Sequence, residues 1–257
     1  MDTLLYIFAG AGVGFAVGLT GIGGGSLMTP LLLLFGFPAY VAIGTDLMYA
    51  ALTKVSGVVI HHRQKSVDWP LVRLLCIGSI PATVATIFLL KYLFTESDHY
   101  SPILTSCLGF MLTLTALVLL FSNKLKKLQK HKVRPAGPSK QLSIFTIAMG
   151  AVLGTLVTLS SVGAGALGTA VLLLIYPALT SVRVVGTELA HAVPLTLVAG
   201  IGHIWLGNVD FSLLGSLMIG SLPAIYLGTK IGRHLPENIM RMVLAAILLF
   251  LGIRYLT

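Results

Sequence analysis

The second half of this chain repeats the first. A displacement of 142 residues places Gly44-Thr45-Asp46-Leu47 on Gly186-Thr187-Glu188-Leu189, and further matches follow downstream. Upstream, a displacement of 140 residues pairs Gly23 with Gly163, so a two-residue insertion separates the two frames. Duplicated glycine and polar positions predict a fold with internal symmetry and a site where the two halves meet.

The composition identifies the environment of these halves. The 257 residues are 56% hydrophobic and 10% charged, whereas soluble domains carry about 25% charged residues. Apolar stretches occupy nearly the whole chain and leave no room for a soluble domain. We therefore predict an all-α polytopic membrane protein with about eight to ten membrane segments, and a duplicated membrane chain is typical of a transporter.

Charge divides the chain into three regions. Seven of the 17 Lys and Arg residues lie between Lys124 and Lys140, and such a basic run orients a membrane protein with that loop in the cytoplasm. The predicted organisation is a transmembrane repeat at 1–122, a basic cytoplasmic linker at 123–141 and a second repeat at 142–257. The expected location is the cytoplasmic (inner) membrane. We expect no nucleic-acid partner, because the rest of the chain is close to neutral, with ten Lys and Arg residues and eight Asp and Glu residues.

The loops of the two halves have opposite charge. Basic residues surround the turn that follows His61, whereas the corresponding turn between His203 and Asp210 contains no Lys or Arg. Matching sequence with opposite loop charge indicates an inverted-topology repeat. Each half would hold a hairpin with a short or broken helix, at 4–37 and 142–180, plus three transmembrane helices. A parallel four-plus-four repeat remains an alternative.

Glycine-rich breaks precede the short helices and are the predicted substrate site. A helix that begins inside a membrane exposes unpaired N–H groups and a partial positive charge, which together suit an anion. Close helix packing through small residues is the competing interpretation. The absence of a following Lys argues against a nucleotide-binding loop. The predicted anion-binding residues are Gly23, Gly24, Gly25 and Ser26 in the first half and Gly163, Ala164, Gly165 and Ala166 in the second.

Polar residues of the repeated Gly-Thr-acid motif complete the candidate site. Asp46 and Glu188 lie inside apolar stretches, where ionised groups are costly, and His191 follows Glu188 at i+3. We assign these three residues to proton coupling. Thr45, Thr187 and Lys54 are assigned to substrate binding, with Lys54 facing either Glu188 or the substrate. A purely structural ion-pair network is the alternative.

Other polar residues have simpler interpretations. His61, His62 and His203 lie near predicted helix ends, and we expect them at the membrane interface. Asp68 and Asp210 each precede an aromatic residue at a helix start, where we expect N-terminal caps.

The chain resembles the sulfite exporter TauE/SafE family of membrane permeases, also called TSUP. The matching segments are Gly18-Leu-Thr-Gly-Ile-Gly-Gly-Gly25 with Pro30 downstream, Val41-Ala-Ile-Gly-Thr45, Val67-Asp-Trp69, and Gly78 with Pro81. The resemblance implies a permease for small sulfur-containing anions such as sulfite, sulfoacetate or organosulfonates, driven by the proton gradient. The family often has a small or polar residue at the positions of Asp46 and Glu188. These two acids are departures that favour proton coupling.

The predicted function is therefore a proton-coupled secondary transporter of small anions, not an enzyme, with no cofactor and no bound metal. Its partners would be the anion, protons and the lipid bilayer, and the assembly a monomer or a homodimer. A transporter of divalent metals or other cations that uses Asp46, Glu188 and His191 as ligands is the main alternative. An intramembrane enzyme and a structural subunit are the others.

Overall fold

A computed structural model describes residues 2–20, 27–93, 97–129, 140–232 and 237–256. These residues form ten α-helices and no strand. The helices of the first half are α1 Asp2–Thr20, α2 Met28–Leu34, α3 Ala39–Arg63, α4 Trp69–Leu93 and α5 Ser97–Gln129. Those of the second half are α6 Lys140–Ser160, α7 Ala166–Ile175, α8 Ser181–Trp205, α9 Phe211–Gly232 and α10 Glu237–Leu256.

Six segments in the described part of the chain are long and apolar enough to cross a membrane. The remaining apolar segments of α1, α7 and α10 are shorter. The prediction of an all-α polytopic membrane protein is confirmed. The six segments are Ala39–Arg63, Trp69–Leu93, Tyr100–Phe121, Lys140–Ser160, Ser181–Trp205 and Phe211–Ile231.

The expected short helix is present in both halves. In the first half α2 has seven residues, and Pro30 lies in its first turn, where the missing N–H costs no helical hydrogen bond. In the second half α7 has ten residues and follows a break at 161–165. Within that break Gly163 has φ of +109°, a conformation that L side chains rarely adopt.

Glycines allow the two halves to pack closely, and the contacts are reciprocal. α1 packs along α9, and α6 packs along α4. Gly14 of α1 lies against Ser221 of α9, while Gly154 of α6 lies against Ser79 of α4. These two contacts are equivalent, because the repeat displacements pair Gly14 with Gly154 and Ser221 with Ser79. Each half therefore makes the same contacts with the other, and small residues bring the paired helices together.

Equivalent helices of the two halves pack in opposite directions. Gly57 of α3 contacts Leu189 of α8, and Met48 of α3 contacts Gly200 of α8. A later residue of α3 thus meets an earlier residue of α8, so the two helices run antiparallel. An inverted repeat requires this direction, whereas a parallel four-plus-four repeat would align equivalent helices. The α3 and α8 pair carries the candidate site.

Candidate functional site

The start of α2 and the break before α7 meet at one carboxylate oxygen of α3. Asp46 is fully buried, and its Oδ2 accepts hydrogen bonds from Thr29 N at 3.2 Å and from Thr29 Oγ1 at 2.5 Å. Ser161 Oγ donates to the same oxygen at 3.0 Å. Oδ1 has no hydrogen-bond partner among the described residues. Asp46 therefore joins both short-helix regions and keeps one oxygen available.

Lys54 places a positive charge beside this cluster. Its side chain is 5% exposed, and Nζ donates a hydrogen bond to Ala164 O at 2.6 Å. The ammonium group interacts electrostatically with Glu188 and with Asp46. No other Lys or Arg belongs to the buried residues that the structure describes. One cation of the first half thus contacts the break of the second half.

Glu188 adjoins the short helix of its own half, as Asp46 does. It is 3% exposed, and a Cβ built on Gly168, in the first turn of α7, would lie 2.7 Å from Glu188 Cγ. Its Oε1 has no hydrogen-bond partner in the described part of the chain. Because Gly168 has no side chain, the Glu188 carboxyl group can lie directly against the helix start.

His191 is buried in the same region but does not pair with Glu188. Its Nε2 lies 2.9 Å from Ser79 Oγ of α4, and no hydrogen bond joins its ring to the Glu188 carboxyl group. The i to i+3 spacing predicts only that both side chains share one side of α8. The hydroxyl of Ser79, supplied by a neighbouring helix, decides which contact the imidazole makes. The imidazole therefore links α8 to α4, although the i to i+3 spacing would allow it to contact Glu188.

Thr45 and Thr187 join the two halves by equivalent hydrogen bonds. Thr45 Oγ1 accepts from the N–H of Asp210 at 3.1 Å, and Thr187 Oγ1 accepts from the N–H of Asp68 at 2.9 Å. Both threonines are fully buried. These contacts hold the segments that precede α9 and α4, and they fix the helical positions next to Asp46 and Glu188.

We expect Thr45→Val to lower stability without weakening substrate affinity. The change keeps the side-chain volume but leaves the partly buried N–H of Asp210 without its acceptor, which costs about 1 kcal/mol, the lower end of the range for buried groups. A lower melting temperature in detergent would measure this loss, and Thr45→Ser should restore most of it. A loss of affinity with unchanged melting temperature would instead support substrate binding by Thr45.

The predicted anion-binding residues are only partly described. Gly163 O accepts hydrogen bonds from Gly165 N at 2.8 Å and from Gly168 N at 3.2 Å. The N–H groups of Ala166 and Leu167 donate to no atom of the described residues. The start of α7 therefore retains free donors. Residues Gly23, Gly24, Gly25 and Ser26 of the first half lie outside the described residues.

The metal-ligand set of the alternative cation transporter does not form among the described residues. No three His, Cys, Asp or Glu side chains in this part of the chain come together as metal ligands. Asp46 is engaged by Thr29 and Ser161, and His191 by Ser79. The nearby Lys54 ammonium group also opposes a bound cation.

The helix caps predicted from sequence are confirmed. Asp210 Oδ1 accepts from the N–H groups of Ser212 and Leu213, both at 2.9 Å. Asp68 Oδ1 accepts from Leu71 N at 3.4 Å, and Arg183 forms an ion pair with Asp68 at 3.1 Å.

His203 is buried, contrary to the interfacial position expected from its place near a helix end. It is fully buried, with Nε2 3.0 Å from Thr158 O and Nδ1 3.0 Å from Asn208 Nδ2. Tyr100 donates a hydrogen bond to Asn208 Oδ1 at 2.9 Å. Distance from the helix end does not predict burial here, because α5 and α6 cover this end of α8. The repeat could have indicated a hydrogen bond to this histidine. A displacement of 142 pairs His203 with His61 and Asn208 with Ser66, so a polar residue follows the histidine by five positions in both halves.

Comparison with known proteins identifies the family of the chain. The family model described as sulfite exporter TauE/SafE matches residues 6–255. The probable membrane transporter protein YjnA of Bacillus subtilis (strain 168) is 36% identical over 251 residues, which cover 96% of this chain and 97% of the relative. The probable membrane transporter protein YdhB of the same organism is 30% identical over 237 residues, with coverage of 89% and 90%. No solved structure matches the chain. Because the matches extend over nearly the whole chain, it belongs to the sulfite exporter TauE/SafE family.

Proposed function

We propose that the protein is a secondary transporter that moves small sulfur-containing anions, such as sulfite or organosulfonates, across the cytoplasmic membrane. The observation that carries the proposal is the position of Lys54. This buried ammonium group of the first half bonds to Ala164 O in the break of the second half and interacts with two buried carboxyl groups. Family membership supports the membrane-permease class, and the family name supports the choice of anion.

The charges of the cluster favour proton coupling. With Lys54, Asp46 and Glu188 all ionised, the three groups sum to a charge of −1, which repels an anion. Protonation of both acids changes the sum to +1, which balances a monovalent anion. Since an uncompensated charge inside a membrane is costly, anion and protons would bind together. The protein would then transport the anion in the same direction as protons.

Asp46 provides a physical route for this exchange. Its carboxylate already takes the place of an anion, because it accepts hydrogen bonds from Thr29 and Ser161. Protonation at the unpartnered Oδ1 would weaken those bonds, since a neutral carboxyl group is a poorer acceptor than a carboxylate. The released donors and the free N–H groups at the start of α7 could then bind the oxygens of the substrate.

Alternating access would follow from an inverted repeat. The reciprocal helix contacts and the antiparallel packing of α3 and α8 support this arrangement. Related halves of this kind can exchange conformations, so that the site opens first to one side and then to the other. The basic linker 123–141, most of which lies outside the described residues, would connect the halves in the cytoplasm.

A transport assay tests the proposal directly. Purified protein in liposomes should accumulate radiolabelled sulfite when a pH gradient is imposed, and unlabelled sulfite or an alkanesulfonate should compete. Liposomes without protein provide the control for passive leakage. Uptake of a divalent metal ion without any anion flux would contradict the proposal and favour cation transport.

A further inference from the structure

A cavity of about 430 Å³ connects Lys54 with the surface. It lies between α1, α3, α8 and α9, and several hydroxyl groups line it together with apolar side chains. Lys54 is the only charged residue among the described residues of its lining. The lining includes Gly18, Thr53, Ser56, Leu189, Tyr226 and Thr229.

The cavity lies toward the helix ends that carry basic residues. From Lys54 its lining continues along α3 to Ile60, and along α9 to Thr229. The next residues of these helices include Arg63 and Lys230. An anion that approaches this side of the protein would be attracted by these charges and would reach Lys54 through the cavity.

Next to Thr196, which corresponds to Lys54, the equivalent region of the other half is buried. By the repeat displacements, the positions equivalent to Gly18, Thr53 and Thr229 are Thr158, Leu195 and Ile87, respectively. The three equivalent side chains are between 0% and 4% exposed. The two halves therefore differ here, although their helix contacts are reciprocal. Among the described residues, the path beside Lys54 is therefore open where the three symmetry-related positions are buried.

A hydrogen-bond network crosses the filled path. His203 of α8 contacts Thr158 O of α6 at 3.0 Å, and Asn208 connects the other ring nitrogen with Tyr100 of α5. On the open side the equivalent histidine, His61, instead contacts Ser66 Oγ at 2.8 Å. This hydrogen bond stays within the turn after α3 and does not connect α3 to α1.

We infer that the cavity is a vestibule through which small oxyanions reach Lys54 from the side of the basic loops, while the network of His203, Asn208 and Tyr100 closes the matching path on the other side. This inference rests on the proposed anion transport, but its geometry can be measured separately. The vestibule residues would line the path by which the anion enters or leaves. The hydrogen bonds of the closing network would break when the site opens to the opposite side.

Cysteine labelling in membrane vesicles of known orientation tests the vestibule. In a background with Cys76→Ser and Cys107→Ser, Ser56→Cys should react with a membrane-impermeant sulfonatoethyl methanethiosulfonate from the basic-loop side. Its counterpart Val198→Cys should react from either side at a rate that is lower by about tenfold or more. Equal labelling rates for the two cysteine variants would overturn the inference. The absence of any reaction of Ser56→Cys from either side would also overturn it, because the cavity would then open only to lipid.

Charge selectivity gives a second readout of the same path. The anionic sulfonatoethyl reagent should label Ser56→Cys about tenfold faster, relative to a free thiol, than the cationic trimethylammonium reagent does. Lys54→Gln should remove most of this preference. A preference that survives Lys54→Gln would contradict a path that leads anions to Lys54.

Weakening the network tests the closing function. Tyr100→Phe removes one hydrogen bond with little change in volume, and His203→Ala removes the connection to Thr158. Both variants should increase labelling of Val198→Cys from the side opposite the basic loops. Unchanged labelling in folded Tyr100→Phe and His203→Ala proteins would overturn the assigned seal. If the labelling pattern holds while wild-type liposomes transport no sulfur anion, the vestibule stands and the proposed substrate fails.

Discussion

Lys54→Gln should reduce anion transport by about 10- to 100-fold. A hydrogen bond that involves a charged group contributes about 1.5–3 kcal/mol, and about 1.4 kcal/mol corresponds to a factor of ten. The variant also leaves Asp46 and Glu188 without their nearby cation. Initial rates of sulfite flux in liposomes, normalised to reconstituted protein, would measure the effect. Lys54→Arg should retain part of the activity, because it keeps the charge but changes the donor geometry.

The repeat supplies a matched control for Lys54. Thr196 occupies the equivalent position of α8, and its hydroxyl donates to Ala192 O of its own helix at 2.8 Å. Thr196→Ala therefore removes a buried polar group without altering the charge of the site, and we expect near-normal flux. Normal flux in Lys54→Gln, with the protein folded, would contradict the assignment of the site.

Asp46→Asn should reduce accumulation driven by a pH gradient while anion exchange continues, because Glu188 remains as a second acid that can carry a proton. The amide resembles a permanently protonated carboxyl group, so it can no longer bind and release a proton. In the wild type one coupled proton can support about tenfold accumulation for each unit of pH gradient. In the variant, which has lost one of the two coupled protons, the ratio of internal to external anion should be about tenfold lower for each unit of pH gradient. Radiolabelled counterflow measures exchange, and imposed gradients measure coupling.

Asp210→Asn is the matched acid-to-amide control for this experiment. Asparagine and aspartate are comparable N-terminal caps, so the hydrogen bonds at the start of α9 should persist and coupling should remain intact. Gradient-driven accumulation by Asp46→Asn at the wild-type level would remove this carboxyl group from the coupling mechanism. The same comparison with Glu188→Gln would show whether one or both acids carry protons.

Short-range sequence patterns predicted the features that depend on backbone chemistry. The glycine-rich break and the hairpin predicted at 4–37 indicated a short helix, and α2 is such a helix. Asp68 and Asp210 precede helix starts in turn sequences, and both cap their helices. In these cases the chain neighbours of a residue determine its hydrogen bonds.

Contacts between distant helices were harder to predict. The spacing of Glu188 and His191 gave no indication that Ser79, 112 residues before His191, would take the imidazole contact. The burial of His203 depends on α5 and α6, which lie far away in sequence. Repeat matching identified which residues are equivalent, but it did not indicate how each pair would differ. The open cavity beside Lys54 and the filled region beside Thr196 are such a difference.

The reciprocal bonds of Thr45 and Thr187 bear on the origin of the chain. Each threonine accepts the backbone N–H of an aspartate in the other half, so the same bond is made twice. An ancestral protein of half this length, inserted into the membrane in both orientations, could have formed both bonds in an antiparallel pair of identical subunits. Lys54 has no basic counterpart, since Thr196 stands at the equivalent position. A single lysine of this kind requires two separately evolving copies, and the charge asymmetry would then be younger than the duplication.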